Sequence, residues 1–300
     1  MSATTTHPTE PITGTLEVPT AVLTYDVRPS PGTTEPPLLL IGSPMAASGF
    51  GALASFFPDR TIATYDPRGS ERSRRTDGAT ETVPDEHADD LHRLIEALGF
   101  GPLDVFASSG GAVNALALVA RHPEDVRILV AHEPPALSVL PDRDAALAAT
   151  RNIRETYLAR GFGPAMAKFI VLTSHQGPIP DDFAALPDPD PTAFGLPATD
   201  DGSRDDALVG QNIVGGTRFE PDVAALRSAS TRIVIGVSAL GPGTLAHRSA
   251  AEVAHRLGTE AVTFPSHHAG FVSSDGPYGG EPEAFATVLR DVLEREAARS

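Results

Sequence analysis

The 300-residue chain has no cysteine, which excludes disulfides, thiolate nucleophiles and cysteine-ligated zinc or iron–sulfur centres. It has a single lysine, Lys168, and a formal charge of −16. Nucleic acids and anionic membranes are held by clustered Lys and Arg, so neither is expected as a partner. No stretch approaches the roughly 20 consecutive apolar residues of a membrane span, and "MSATTTHPTEPITG" has neither the basic nor the apolar region of a secretory leader. A cytoplasmic protein is therefore expected. The ten histidines show no HxxxH or HExxH spacing. The carboxylate-rich surroundings of His87 read as a solvated first helical turn, so no metal and no cofactor is expected.

At 41% hydrophobic and 21% charged residues, the composition is that of an ordinary globular protein. Apolar runs alternate with helical patterns. Residues 14–28 read as a hairpin or strand pair, and "PPLLLIG" (36–42) as a strand covered on both faces. Strands follow at 61–66, 102–107 and 126–132, with helices near 48–56, 84–99 and 110–122 between them. The rhythm stops after Glu133 and resumes with strands at 231–237 and 259–265 and helices at 246–258 and near 281–297. This alternation predicts an α/β fold with a mainly parallel, doubly wound sheet. The expected organisation is a flexible N-terminus (1–13), a core formed by 14–134 and 230–300, and an inserted helical cap (135–229) that carries the acidic, proline-rich segment 181–206.

Ligands of such sheets bind outside the strand carboxyl ends. "ASSGG" (107–111) stands at one of them, a variant of GxSxG with Ala107 in place of the first glycine. Small residues there permit a tight strand-to-helix turn that presents the Ser109 hydroxyl, although a serine N-cap would look similar. Three further segments fall in order around it. "LLLIGSPMAAS" (38–48) resembles the HGxP turn of the α/β-hydrolases, with Ile41 in the usual histidine position. "YDPRGSERS" (65–73) resembles their D-x-R-G-x-G-x-S stretch, with Glu71 where glycine is frequent. "FPSHHAGF" (264–271) resembles the segment that carries their catalytic histidine.

This resemblance to the α/β-hydrolase superfamily covers about residues 14–134 and 230–297 and implies a set of roles. Ser109 is the nucleophile and His268 the general base, with His267 the alternative one register away. The backbone N–H groups of Gly110 and Ser43 form the oxyanion hole, with Met45 the alternative to Ser43. The usual acid position, after the strand that follows the cap, lies in "VSALGPGTLAHRSA" (237–250), which contains no Asp or Glu. Glu133, at the end of the strand after the nucleophile helix, is the expected acid, with Asp275 as alternative. Asp66 and Arg68 are expected to brace the turn near the site. Met45, Phe162, Met166, Phe169 and His175 are candidate pocket residues.

The function implied is a serine hydrolase that cleaves an ester or lactone of a medium-sized, largely apolar small molecule through an acyl-enzyme. A cyclase, lyase or cofactor-free oxidation catalyst on the same fold, or an inactive ligand-binding protein, are the alternatives.

Overall fold

The computed structural model describes residues 10–276 and 278–295. Two antiparallel strands, β1 (Ile12–Val18) and β2 (Ala21–Arg28), open the chain, followed by β3 (Leu38–Ile41), the short helix α1 (Gly51–Ser55), β4 (Ile62–Asp66) and the two-residue β5 (Arg74–Arg75). The strands and helices α2 (Pro84–Leu98), β6 (Leu103–Ser108), α3 (Gly110–Arg121) and β7 (Val126–His132) complete the first half. After the insertion come β8 (Arg232–Ser238), α8 (Leu245–Leu257), β9 (Val262–Phe264) and α9 (Pro282–Glu294). β1 begins at Ile12, so the expected flexible N-terminus reaches two residues too far. Residues 1–9 lie outside the described residues, as do residues 277 and 296–300 of the core segment.

The sheet has nine strands in the order β1-β2-β4-β3-β6-β7-β8-β9, with β5 paired to β2. From β4 to β9 every pairing is parallel. Side chains alternate across a strand, and the two faces accordingly sort into two cores. Leu39, Ile41, Val105, Ala107 and Leu129 face α2, α3 and α8, whereas Leu38, Leu40, Phe106, Ile128 and Val130 face α1 and α9. With both faces covered, the four residues of β3 can all be apolar and fully buried.

The chain passes from β3 outward to β4 and then returns to place β6 on the other side of β3. The order reverses there, and the carboxyl ends of β3 and β6 diverge to leave the crevice in which ligands of such sheets bind.

The insertion carries α4 (Arg143–Arg160), α5 (Phe162–Ser174), α6 (Ile213–Thr217) and α7 (Val223–Ser228). Leu137, Ile153, Tyr157, Leu172 and Val209 pack together as a third core of the insertion's own. Leu226 of α7, in contrast, is buried in the core beneath the sheet, so the chain rejoins the main body before residue 229. The acidic segment 181–206 lies against α4 and α5, where Phe183 packs against the core that holds Ile153 and Leu172 and Asp188 pairs with Lys168 at 2.6 Å. Among the described residues no helix is long and apolar enough to cross a membrane.

Candidate active site

Ser109 follows the last residue of β6 and precedes the first of α3, with φ 56° and ψ −128°. A non-glycine residue rarely adopts a positive φ, and holding one there costs on the order of 1–3 kcal/mol. The surroundings hold it in place. Its N–H donates to the His132 carbonyl at 2.9 Å, tying the turn to β7. A side chain at Gly110 would approach the Ser43 carbonyl to 2.5 Å, and one at Gly111 the Ile41 carbonyl to 2.7 Å. Only glycine at both positions lets the elbow nest against the loop after β3, and that contact brings the Ser43 and Gly110 amides together. Gly110, as the first helical residue, has no acceptor one turn back, and neither amide donates to a protein backbone acceptor among the described residues. Two free N–H groups beside a strained serine, at the positive end of a helix dipole, suit a developing negative charge.

His268 lies in the loop after β9, and its Nδ1 is 2.6 Å from Glu133 Oε2. Glu133 extends from the end of β7 at φ 47°, its N–H donating to the Gly236 carbonyl at 2.9 Å. Its side chain is 1% exposed. The other oxygen, Oε1, accepts from the Ser238 amide at 3.0 Å and the Ser238 hydroxyl at 2.7 Å. Burial alone would push this carboxyl up, but the hydrogen bond and charge of His268, with help from His132 and Ser238, hold it down to about 2. A carboxylate so placed selects the imidazole tautomer with hydrogen on Nδ1 and leaves Nε2 free toward the cavity. No hydrogen bond joins Ser109 Oγ to that ring among the described residues, a looseness common in ligand-free catalytic sites.

His267 is placed otherwise. Its Nδ1 accepts from the Ala269 amide at 3.1 Å and its Nε2 donates to the Gly279 carbonyl at 3.2 Å, so neither nitrogen is free for base chemistry. Asp275 is exposed and bonded to Ser273, not to either histidine. Asp66 accepts from the Ala47 amide and Arg72, and Arg68 makes two 2.7 Å bonds to Asp90. Both brace the loops beneath the crevice.

Ser109, Ser43, Gly110 and His268 line one cavity of about 350 Å³ whose other wall is the inserted helices. Of the candidate pocket residues, only Phe169 reaches it. Phe162 and Met166 pack into the insertion's own core. Met45 folds back on its own loop, against Gly42 and Gly49. His175 bonds to the Pro178 carbonyl and meets the edge of Phe183. These four are corrected to structural positions, and no residue of segment 181–206 lines the cavity. His87 is also corrected. It is 1% exposed and lines the cavity, not a solvated turn.

Two residues of the constellation had not been singled out. Ser238 bonds the second oxygen of Glu133, and His132, the residue before Glu133, is fully buried among Phe106, Phe264, Phe271 and Phe285 with Nδ1 3.4 Å from Ser108 Oγ. Burial pushes His132 down to about 3. It is thus neutral near pH 7. Outside the cavity lining, His92, His122 and Asp125 place possible ligand atoms within 4.8 Å of one another, with His92 Nδ1 bonded directly to Asp125 at 2.7 Å and its ring stacked on His122.

Comparison with known proteins accords with this geometry. A family profile for the alpha/beta hydrolase fold matches residues 43–189. The chain is 29% identical to the uncharacterized hydrolase YraK of Bacillus subtilis (strain 168), over 94% of this chain and 96% of that one. Among solved structures it resembles a thermophilic esterase from Thermogutta terrifontis (TM-score 0.63, 18% identity, 95% of this chain and 98% of that one). The enol-lactonase from Burkholderia xenovorans LB400 is equally similar in shape (TM-score 0.63, 15% identity, 94% and 100%). A strained serine elbow at the switch point of a parallel sheet, together with these matches, shows that the chain has the alpha/beta-hydrolase fold.

Proposed function

We propose that this protein is a serine hydrolase acting on a carboxylic ester or lactone. The observation that carries the reading is the 2.6 Å contact between Glu133 and His268, with His268, Ser109 and two free backbone amides facing one largely apolar cavity. Ser109 Oγ attacks the carbonyl carbon while His268 Nε2 takes its proton, and the charge appearing on the carbonyl oxygen is received by the Ser43 and Gly110 amides. His268 returns the proton to the leaving alcohol. Water, activated by the same nitrogen, then releases the acyl group. Glu133 stays ionised throughout, fixing the ring and stabilising the imidazolium.

The cavity volume suits a small molecule, and Phe169, Leu172 and Leu245 on its walls suit one with apolar arms. The net charge of −16 argues against a strongly anionic substrate. The esterase and lactonase relatives in fold point to the same reaction class. Rapid mixing with p-nitrophenyl butyrate tests the reading. An acyl-enzyme route whose second step is slower gives a p-nitrophenol burst of up to one equivalent per chain, followed by steady turnover. A folded protein that releases no p-nitrophenol above the spontaneous rate would refute it.

A further inference from the structure

Glu133 is buried, and only one of its oxygens serves His268. The other is held from the end of β8. Ser238, itself 1% exposed, gives Glu133 Oε1 its amide hydrogen at 3.0 Å and its hydroxyl hydrogen at 2.7 Å. An ionised carboxylate only accepts, so the hydroxyl is the donor in the second bond. Among the described residues the Ser238 hydroxyl has no other partner.

The turn that follows holds this serine in place. The Ala239 amide donates to the Phe264 carbonyl at 2.8 Å and the Leu240 amide to the Ser266 carbonyl at 3.0 Å, which ties the turn to the loop carrying His268. Gly241 then lies over the bonded pair. A side chain there would collide with Ser238 Oγ and come within 3.1 Å of Glu133 Oε1. The φ of Gly241 is outside the left-handed region, so the close approach, not the backbone conformation, is what asks for glycine.

Resting on the serine-hydrolase reading, we infer that Ser238 is a positioning residue whose hydroxyl, kept in place by the bare turn at Gly241, aims the Glu133 carboxylate at His268. A carboxylate anchored at one oxygen only can turn about its Cγ–Cδ bond, and each turn breaks the line from Oε2 to His268 Nδ1. With two donors on Oε1 that line is kept while the imidazolium forms, which is when the charge of Glu133 acts. The same donors replace water that a buried carboxylate has lost.

Two substitutions, assayed on p-nitrophenyl butyrate, test this. Ser238→Ala removes the hydroxyl and leaves the amide. Gly241→Ala removes no bonding atom but drives Ser238 Oγ off Glu133. In either folded variant kcat should fall by about tenfold, the scale of a lost hydrogen bond to a charged group, with KM close to that of wild type. In a Glu133→Gln background neither substitution should lower kcat by more than about twofold, since no charge is left to aim. A general structural role would cost as much in both backgrounds. If folded Ser238→Ala loses less than about threefold in kcat, or loses more than about twofold in the Glu133→Gln background, the assignment is overturned while the hydrolase reading stands. If Ser238→Ala does not fold, Gly241→Ala is held to the same two limits. If the wild type itself does not turn over the ester, the hydrolase reading fails and takes the assignment with it.

Discussion

Ser109→Ala is expected to lower kcat for ester hydrolysis by about 10⁴- to 10⁶-fold, the scale on which nucleophile deletion acts in serine enzymes. The substitution removes one oxygen at a position whose neighbours, not its own side chain, hold the backbone. Ser109 N–H is bonded to β7, Gly110 and Gly111 are wedged against the loop after β3, and the Ser109 carbonyl accepts from Ala112 and Val113. None of these contacts involves the hydroxyl. The melting temperature should therefore stay within a few degrees of the wild type. Purified variant assayed beside wild type on p-nitrophenyl butyrate, with a thermal melt of each, checks both halves. Retention of more than about a tenth of the wild-type rate would exclude covalent catalysis at Ser109, since triad losses are orders of magnitude larger.

The second large effect is expected at Glu133. Glu133→Gln keeps the shape and removes the charge, and an amide nitrogen turned toward His268 Nδ1 would favour the wrong tautomer. A fall in kcat of about 10² to 10⁴ is expected, the range set by loss of a triad carboxylate. The same variant carries a pH signature. The folded-state pKa of Glu133 is depressed from 4.5 to about 2, so the stability it contributes is present in full above about pH 4.5 and is lost as pH falls toward 2. The melting temperature of wild type should exceed that of Glu133→Gln near pH 6, and the gap should close on acidification through that window. A loss in kcat below about fivefold would remove Glu133 from the mechanism. A stability gap that does not change between pH 6 and pH 3 would contradict its ionised, paired state.

Much of this architecture is written in local signals. β3 is a run of four apolar residues between polar turns, α2 opens with Pro84 and closes at Gly99 in a left-handed conformation, and the βα rhythm places Ser109 and Glu133 at strand ends. Glu133 is legible only through the resemblance to the α/β-hydrolases, which implies an acid at the end of this strand when the usual position, within residues 237–250, contains no carboxylate. What fills that vacancy is not legible. A serine at the end of β8 carries no chemical mark in the sequence, and its two bonds to Glu133 arise from tertiary contact across 105 residues.

The pocket is harder still to read. α5 is apolar on nearly every side, so periodicity does not say that Phe169, which packs against the insertion's own core with Phe162 and Met166, also lines the ligand cavity. His87 is a different case, since it stands at helical spacing from Leu91 and Leu94, both buried. That spacing is the stronger signal; of the acidic neighbours that suggest a solvated turn, Asp85 and Asp89 lie on other faces of α2, and Asp90 is itself buried against Arg68.

The central claim is that Ser109 is the activated nucleophile of an assembled site, and covalent trapping tests it most directly. The protein is incubated with a p-nitrophenyl alkylphosphonate, digested, and the adduct located by peptide mass spectrometry. The account predicts one phosphonyl group per chain, on Ser109, formed far more slowly when His268 is replaced by alanine because Nε2 no longer removes the serine proton. A folded protein that takes up no phosphonate, or one modified on a serine other than Ser109, would contradict it.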